Sequence, residues 1–149
     1  MFTAGGEIDG ERLREAIPAA IERAATAMVE PEYREYSGLG AVERLAEEAG
    51  SWPEATEDWK WCARFGYQVI ERRGTGGGAF RLMYSRFLAE AGRPEAPLAA
   101  EAAARWTALA EDFRAASEQD DPDPALWQEI DSAAKKVAEA EKELWSSLA

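Results

Sequence analysis

The sequence predicts an all-α fold, a single-domain bundle of about six helices with an antiparallel helical hairpin at its C-terminal end. Three observations predict it. Thirty-one alanines and 22 glutamates make up more than a third of the 149 residues, and both are strong helix formers. Val, Ile and Thr number only 4, 5 and 5, too few to build several strands. Apolar residues recur three and four apart along every long segment, the spacing of one helix face.

The first helix is expected over 9–29, on Leu13, Ile17, Ala20, Ala24 and Met28. Asp9 or Gly10 caps it, and Glu11 and Glu15 lie near its positive end. Pro18 falls inside it and should kink or split it, because proline lacks an amide donor. Glu30-Pro31 and Ser37-Gly38 mark a loop. A second helix, over 39–49, reads Leu39, Val42, Leu45 and Ala49 and closes at Gly50. Ser51-Trp52-Pro53-Glu54 has the form of a capping box. It opens a third helix over 52–73. Trp59, Trp61, Cys62, Phe65, Tyr67, Val69 and Ile70 almost encircle that helix, so a central position is expected. A fourth, over 78–91, carries Phe80, Met83, Tyr84, Phe87 and Leu88 and stops at Gly92.

The hairpin has its first arm over 97–118 and its second over 124–147. The connector Asp120-Asp121-Pro122-Asp123-Pro124 cannot continue a helix. In the second arm Leu126, Ile130, Ala133, Val137, Ala140 and Leu144 step 4, 3, 4, 3, 4, a heptad seam. Its alanines imply close approach to a partner helix. That partner is either the first arm or, with Trp127 and Trp145 added, a second subunit in a homodimer.

Charge and composition exclude whole classes of function. Seventeen basic against 29 acidic side chains give a net charge of −12, the wrong sign for nucleic acid or an anionic membrane surface. No apolar run approaches the ~18 residues that span a bilayer. No basic stretch followed by an apolar one opens the chain, so a cytoplasmic protein is expected. The absence of histidine removes Ser-His-Asp and Cys-His catalysis and imidazole metal ligation. Cys62, the only cysteine, falls mid-helix among tryptophans and reads as an inert thiol. The aspartates around 120–123 lack calcium-loop spacing, and no Glu-x-x-His pair suggests a di-iron bundle. No catalytic residue, metal or cofactor is expected.

One segment carries possible chemistry. Arg72-Arg73-Gly74-Thr75-Gly76-Gly77-Gly78-Ala79-Phe80-Arg81 puts four glycines and three arginines together in an acidic chain. Glycines let successive amides turn inward as an anion-holding nest, a helix start at Gly78 adds its dipole, and arginines clamp a phosphate or carboxylate. The segment also matches a dinucleotide fingerprint through Gly74, Gly76 and Ala79. That reading fails, because no second strand exists for a βαβ unit. Two readings stay open: an anion site, with Tyr84 beside it, or a tight junction between two helices.

Ile70-Glu71-Arg72-Arg73-Gly74-Thr75-Gly76-Gly77-Gly78-Ala79-Phe80-Arg81-Leu82-Met83-Tyr84, followed by Phe87-Leu88-Ala89-Glu90-Ala91, resembles the signature of a helical domain of unknown function. That domain lies at the C-terminal end of butirosin biosynthesis protein H-like proteins. Gly38-Leu39, Leu45-Ala46 and Trp52-Pro53 before it, and Trp106 and Leu109-Ala110 after it, fit the same pattern. The resemblance covers roughly Leu13 to Ala116. It implies an accessory role in an antibiotic-biosynthesis acyltransferase, which moves an aminoacyl group from an acyl carrier protein thioester to an aminoglycoside amine. The nucleophile would come from a separate cysteine-hydrolase-like N-terminal domain. By the same implication, the Arg72-to-Arg81 segment lines a cleft for the acyl or pantetheine arm. The alternative is a protein–protein interaction or dimerisation domain with no small-molecule site.

Overall fold

The computed structural model describes residues 10–149, all of whose regular elements are helical. They are α1 (Gly10–Val29), α2 (Gly38–Glu48), α3 (Trp52–Ala55), α4 (Trp59–Tyr67), α5 (Arg81–Glu90), α6 (Ala96–Ser117) and α7 (Pro124–Leu148). The fold is the all-α bundle that the composition predicts, with α6 and α7 as its hairpin. The proposed cap Asp9 lies outside the described residues.

The hairpin is also the spine of the molecule. α4 and α5 lie against α6, while α1 and α2 lie against α7. Two clusters of buried side chains share this spine. One gathers Trp59, Phe113, Trp127 and Ile130 between α2, α4, α6 and α7. The other gathers Ile21, Leu88, Leu144 and Trp145 between α1, α5, α6 and α7. α6 can sit in the middle because Ala99, Ala102, Ala110 and Ala116 are fully buried on it. A methyl group is small enough to let three neighbouring helices approach one axis.

Several local expectations need correction. α1 runs unbroken through Pro18. Pro18 and Arg14, whose carbonyl it frees, are both exposed, so that carbonyl is open to solvent and not stranded in the core. Gly50 does not close α2 with a left-handed turn. The chain continues through a 3₁₀ turn over Ala49–Ser51, and a Cβ on Gly50 would stand 2.6 Å from Asp131 Cβ. Its smallness therefore lets α2 approach α7. The capping box does not form. Ser51 is not extended, and its hydroxyl donates back to the Glu48 carbonyl at 2.9 Å.

The expected third helix is broken at 56–58. Thr56 is extended, and its Oγ1 accepts from the Asp58 amide at 3.1 Å, an alternative to helical pairing. Nor is this region apolar all round in space. Trp61 is 59% exposed and Phe65 is 42% exposed, so α4 is a flanking helix and α6 holds the centre. α5 ends as the sequence suggests: Gly92 has φ +68°, the Arg93 amide reaches the Leu88 carbonyl, and the Gly92 amide reaches that of Ala89.

In α7 the buried seam is Trp127, Ile130, Ala134, Val137, Glu141, Leu144 and Leu148. It keeps the alternation of three and four and shares Ile130, Val137 and Leu144 with the expected seam, but takes Ala134 and Glu141 in place of Ala133 and Ala140. Trp127 and Trp145 are buried inside the chain, which removes them as candidates for a subunit contact. Asp123 caps the arm, its Oδ1 accepting from the Ala125 amide at 2.9 Å, with Pro124 in the first turn. Replacing Asp123 with Ala should cost about 1 kcal/mol in a urea titration.

Candidate functional site

The glycine-rich segment joins α4 to α5, and its geometry starts one turn earlier. α4 ends in a π turn over Gln68–Arg72, where the Arg73 amide reaches five residues back to the Gln68 carbonyl at 2.9 Å. Such turns are rare and recur at functional sites. The Thr75 hydroxyl, buried, then donates to the Ile70 carbonyl at 2.6 Å.

The next five residues, Gly76 to Phe80, all have positive φ, from +49° to +89°. Glycine adopts this region freely. Ala79 at +49° and Phe80 at +69° do not, and each costs roughly 1–2 kcal/mol there. Strain of this kind persists only where surrounding contacts over-determine it. Gly78 lies on the α6 backbone, so close that a Cβ would stand 2.8 Å from the Ala103 carbonyl oxygen.

Two carboxylates hold the segment. Glu71 Oε1 accepts from the Gly78 amide at 3.0 Å and from the Thr107 hydroxyl at 2.7 Å. The amide that the nest reading offers to an external anion therefore already faces a carboxylate of the chain itself. An incoming phosphate would have to displace Glu71.

The second carboxylate is Glu141, fully buried on α7. Arg81 grips it in a fork, Nε to Oε1 at 2.7 Å and Nη2 to Oε2 at 2.8 Å. The indole nitrogens of Trp106 and Trp145 donate to the same group, each at 2.7 Å. Four donors on one carboxylate are what a buried charge requires. Arg81 also donates to the Ala79 carbonyl at 3.2 Å and lies over the Trp145 ring. One guanidinium thus ties the strained turn to α7, as Glu71 and Thr107 tie it to α6.

The other sequence-predicted residues divide. Arg72 Nε donates to the Tyr67 hydroxyl at 3.1 Å, and Arg73 Nη2 to Gln68 Oε1 at 2.9 Å. Neither makes an ion pair among the described residues. Gly74 and Gly76 face open space. Tyr84 turns to the other core, stacked between Phe87 and Trp145. Its hydroxyl is buried without a hydrogen-bond partner among the described residues, and burial pushes the phenol above its usual range against the opposing pull of Arg81. Arg72 and Arg73 remain beside the loop, whereas Arg81 is committed to Glu141.

Beside the loop, on the α4 side, lies an apolar cavity of about 440 Å³. Leu45, Trp52, Phe65, Ala79, Trp106 and Phe113 are among its walls, and Cys62 lies on it. Sequence reasoning missed both this cavity and Glu141. Among the described residues no cluster of acidic or cysteine side chains has the form of a metal site, and no helix is long and apolar enough to cross a membrane.

No curated protein and no solved structure matches the chain. A family model does, over residues 1–148, nearly the whole length of the bundle and all of the loop. The chain therefore belongs to the family described as a domain of unknown function, DUF4872.

Proposed function

We propose that this chain is a non-catalytic accessory domain of a butirosin-biosynthesis-H-like acyltransferase. Its Arg72-to-Arg81 segment helps to bind substrate, a pantetheine arm or an acyl carrier protein. The catalytic half is a cysteine-hydrolase-like N-terminal domain, and the assembly works in the cytoplasm. One observation carries the reading: a strained left-handed turn is held rigid by two internal carboxylates while Arg72 and Arg73, paired among the described residues only with neutral groups, flank it. A fixed loop with available cations suits recognition of an anionic arm. The motif resemblance over Ile70–Ala91 supplies the kind of arm. The absence of histidine leaves Cys62 without an imidazole base, so chemistry on a thioester falls to the other half.

Titration with phosphopantetheine, and separately with an acyl carrier protein, tests this by amide chemical shifts. The expected result is a saturable shift at Arg72, Arg73, Gly74 and Gly76. No shift there at millimolar phosphopantetheine, and none with carrier protein, contradicts it.

A second reading, an interaction or dimerisation domain, draws support from the exposed side chains of Trp61, Phe80 and Met83. Light scattering separates the two. A strict monomer at high concentration contradicts a homodimer.

A further inference from the structure

The cavity beside the loop has the character of a ligand site in its own right. Its volume of about 440 Å³ falls in the range that holds a small molecule. Trp52 and Phe113 form one wall, stacked with ring centroids 5.0 Å apart and planes 4° from parallel. The same wall is fixed from behind, because Trp52 also meets Trp127 in the core. Trp106 forms another wall, and its indole nitrogen is spent on Glu141. A cavity walled by aromatic and aliphatic side chains offers little to a polar ligand and much to an apolar one.

Its edge differs in character. Phe65 lines the cavity and is partly exposed, and the Arg73 guanidinium lies over its ring, 5.0 Å from the centroid. The polar partner of Arg73 is the neutral Gln68 amide. A cation therefore stands at the edge of an otherwise apolar space. Ala79 closes the cavity from the loop, so the strained turn forms part of its wall.

The geometry points to a binding site for an amphipathic anion, its apolar chain between Trp52, Phe113 and Trp106 and its acidic end at Arg73. This site stands whether or not the chain serves an acyltransferase. The single thiol supplies a direct readout, since Cys62 is half-buried and lines the cavity.

The experiment measures the rate at which a maleimide alkylates Cys62 in the full chain, with decanoate as the probe. Decanoate below its micelle threshold is expected to slow alkylation several-fold, saturably. Decanol should protect more weakly, and decyltrimethylammonium more weakly still. Arg73→Gln should raise the decanoate concentration for half-protection about tenfold, the loss of one charge-assisted contact. Val69→Phe, which fills the cavity from the π turn, should abolish protection while circular dichroism and melting confirm a folded chain. An alkylation rate unchanged by decanoate overturns the site, as does protection that persists in folded Val69→Phe. Equal protection by decanoate and decyltrimethylammonium, or by the native chain and Arg73→Gln, overturns the anionic end.

Discussion

Replacing Glu141 with Ala should be among the most damaging single changes in the chain, costing about 3–5 kcal/mol. Removal of the carboxylate leaves the Arg81 guanidinium and the indole nitrogens of Trp106 and Trp145 facing one another in the core without an acceptor. The cost comes mostly from the stranded cation, not from the worth of the original pair. Glu141→Gln should behave almost as badly, because it keeps the shape and loses the charge. A double change to apolar residues, Arg81→Met with Glu141→Leu, should recover much of the loss, since neither charge then needs solvation. For a domain of this size the single change corresponds to a fall in melting temperature of roughly 10 °C. Thermal melting of the four proteins checks the order. A Glu141→Ala protein as stable as the native one would mean that the four-donor arrangement does not hold the core.

Gly78→Ala should be the worst of the substitutions within the loop. Its Cβ would meet the Ala103 carbonyl oxygen at 2.8 Å and the Ala103 Cα at 2.9 Å. Backbone atoms cannot swing aside as a side-chain end can, so α5 and the loop would have to lift off α6. The position also has φ +55°, which adds the left-handed penalty. Together these should cost about 2–4 kcal/mol. Gly74→Ala and Gly76→Ala provide the contrast. Both have positive φ, but a Cβ at either meets nothing within 4 Å, so each should lose only about 1 kcal/mol. Urea titration of the three variants distinguishes a packing role from a purely conformational one. Equal losses at all three positions would show that the approach to Ala103 is unimportant.

The sequence revealed the helices because Ala and Glu favour them and because apolar spacing follows the helical period. The end of α5 was legible at Gly92, where the left-handed turn needs glycine, and the hairpin was legible at its Asp-Pro connector. The break at 56–58 was not, because Thr, Glu and Asp are tolerated in helices and only the Thr56 hydroxyl, bonded to the Asp58 amide, reveals the competing turn. Gly50 was misread because a glycine after a helix suggests a cap, whereas here its missing Cβ admits Asp131.

The largest omission was Glu141. Tracing only apolar residues along α7 steps from Val137 to Ala140 and passes the carboxylate by. The register that begins at Trp127 steps 3, 4, 3, 4 onto Glu141, a core position. A charged residue there is a signal that needs partners, and Arg81, Trp106 and Trp145 are the donors that answer it. The glycine segment was correctly singled out as unusual, but its sign of charge was read from the arginines alone. Glu71, seven residues before Gly78, supplies the carboxylate at the Gly78 amide. No local pattern announces that pairing, because it depends on the π turn that carries Glu71 and on the left-handed run that carries Gly78.

Amide hydrogen exchange at Gly78, in the native chain and in Glu141→Gln, tests most directly whether the glycine turn is a fixed part of the bundle. The architecture predicts slow exchange in the native chain, where the Gly78 amide is held by Glu71 against α6, and much faster exchange once Arg81 loses its partner. Exchange at the rate of an unstructured peptide in the native chain would contradict it.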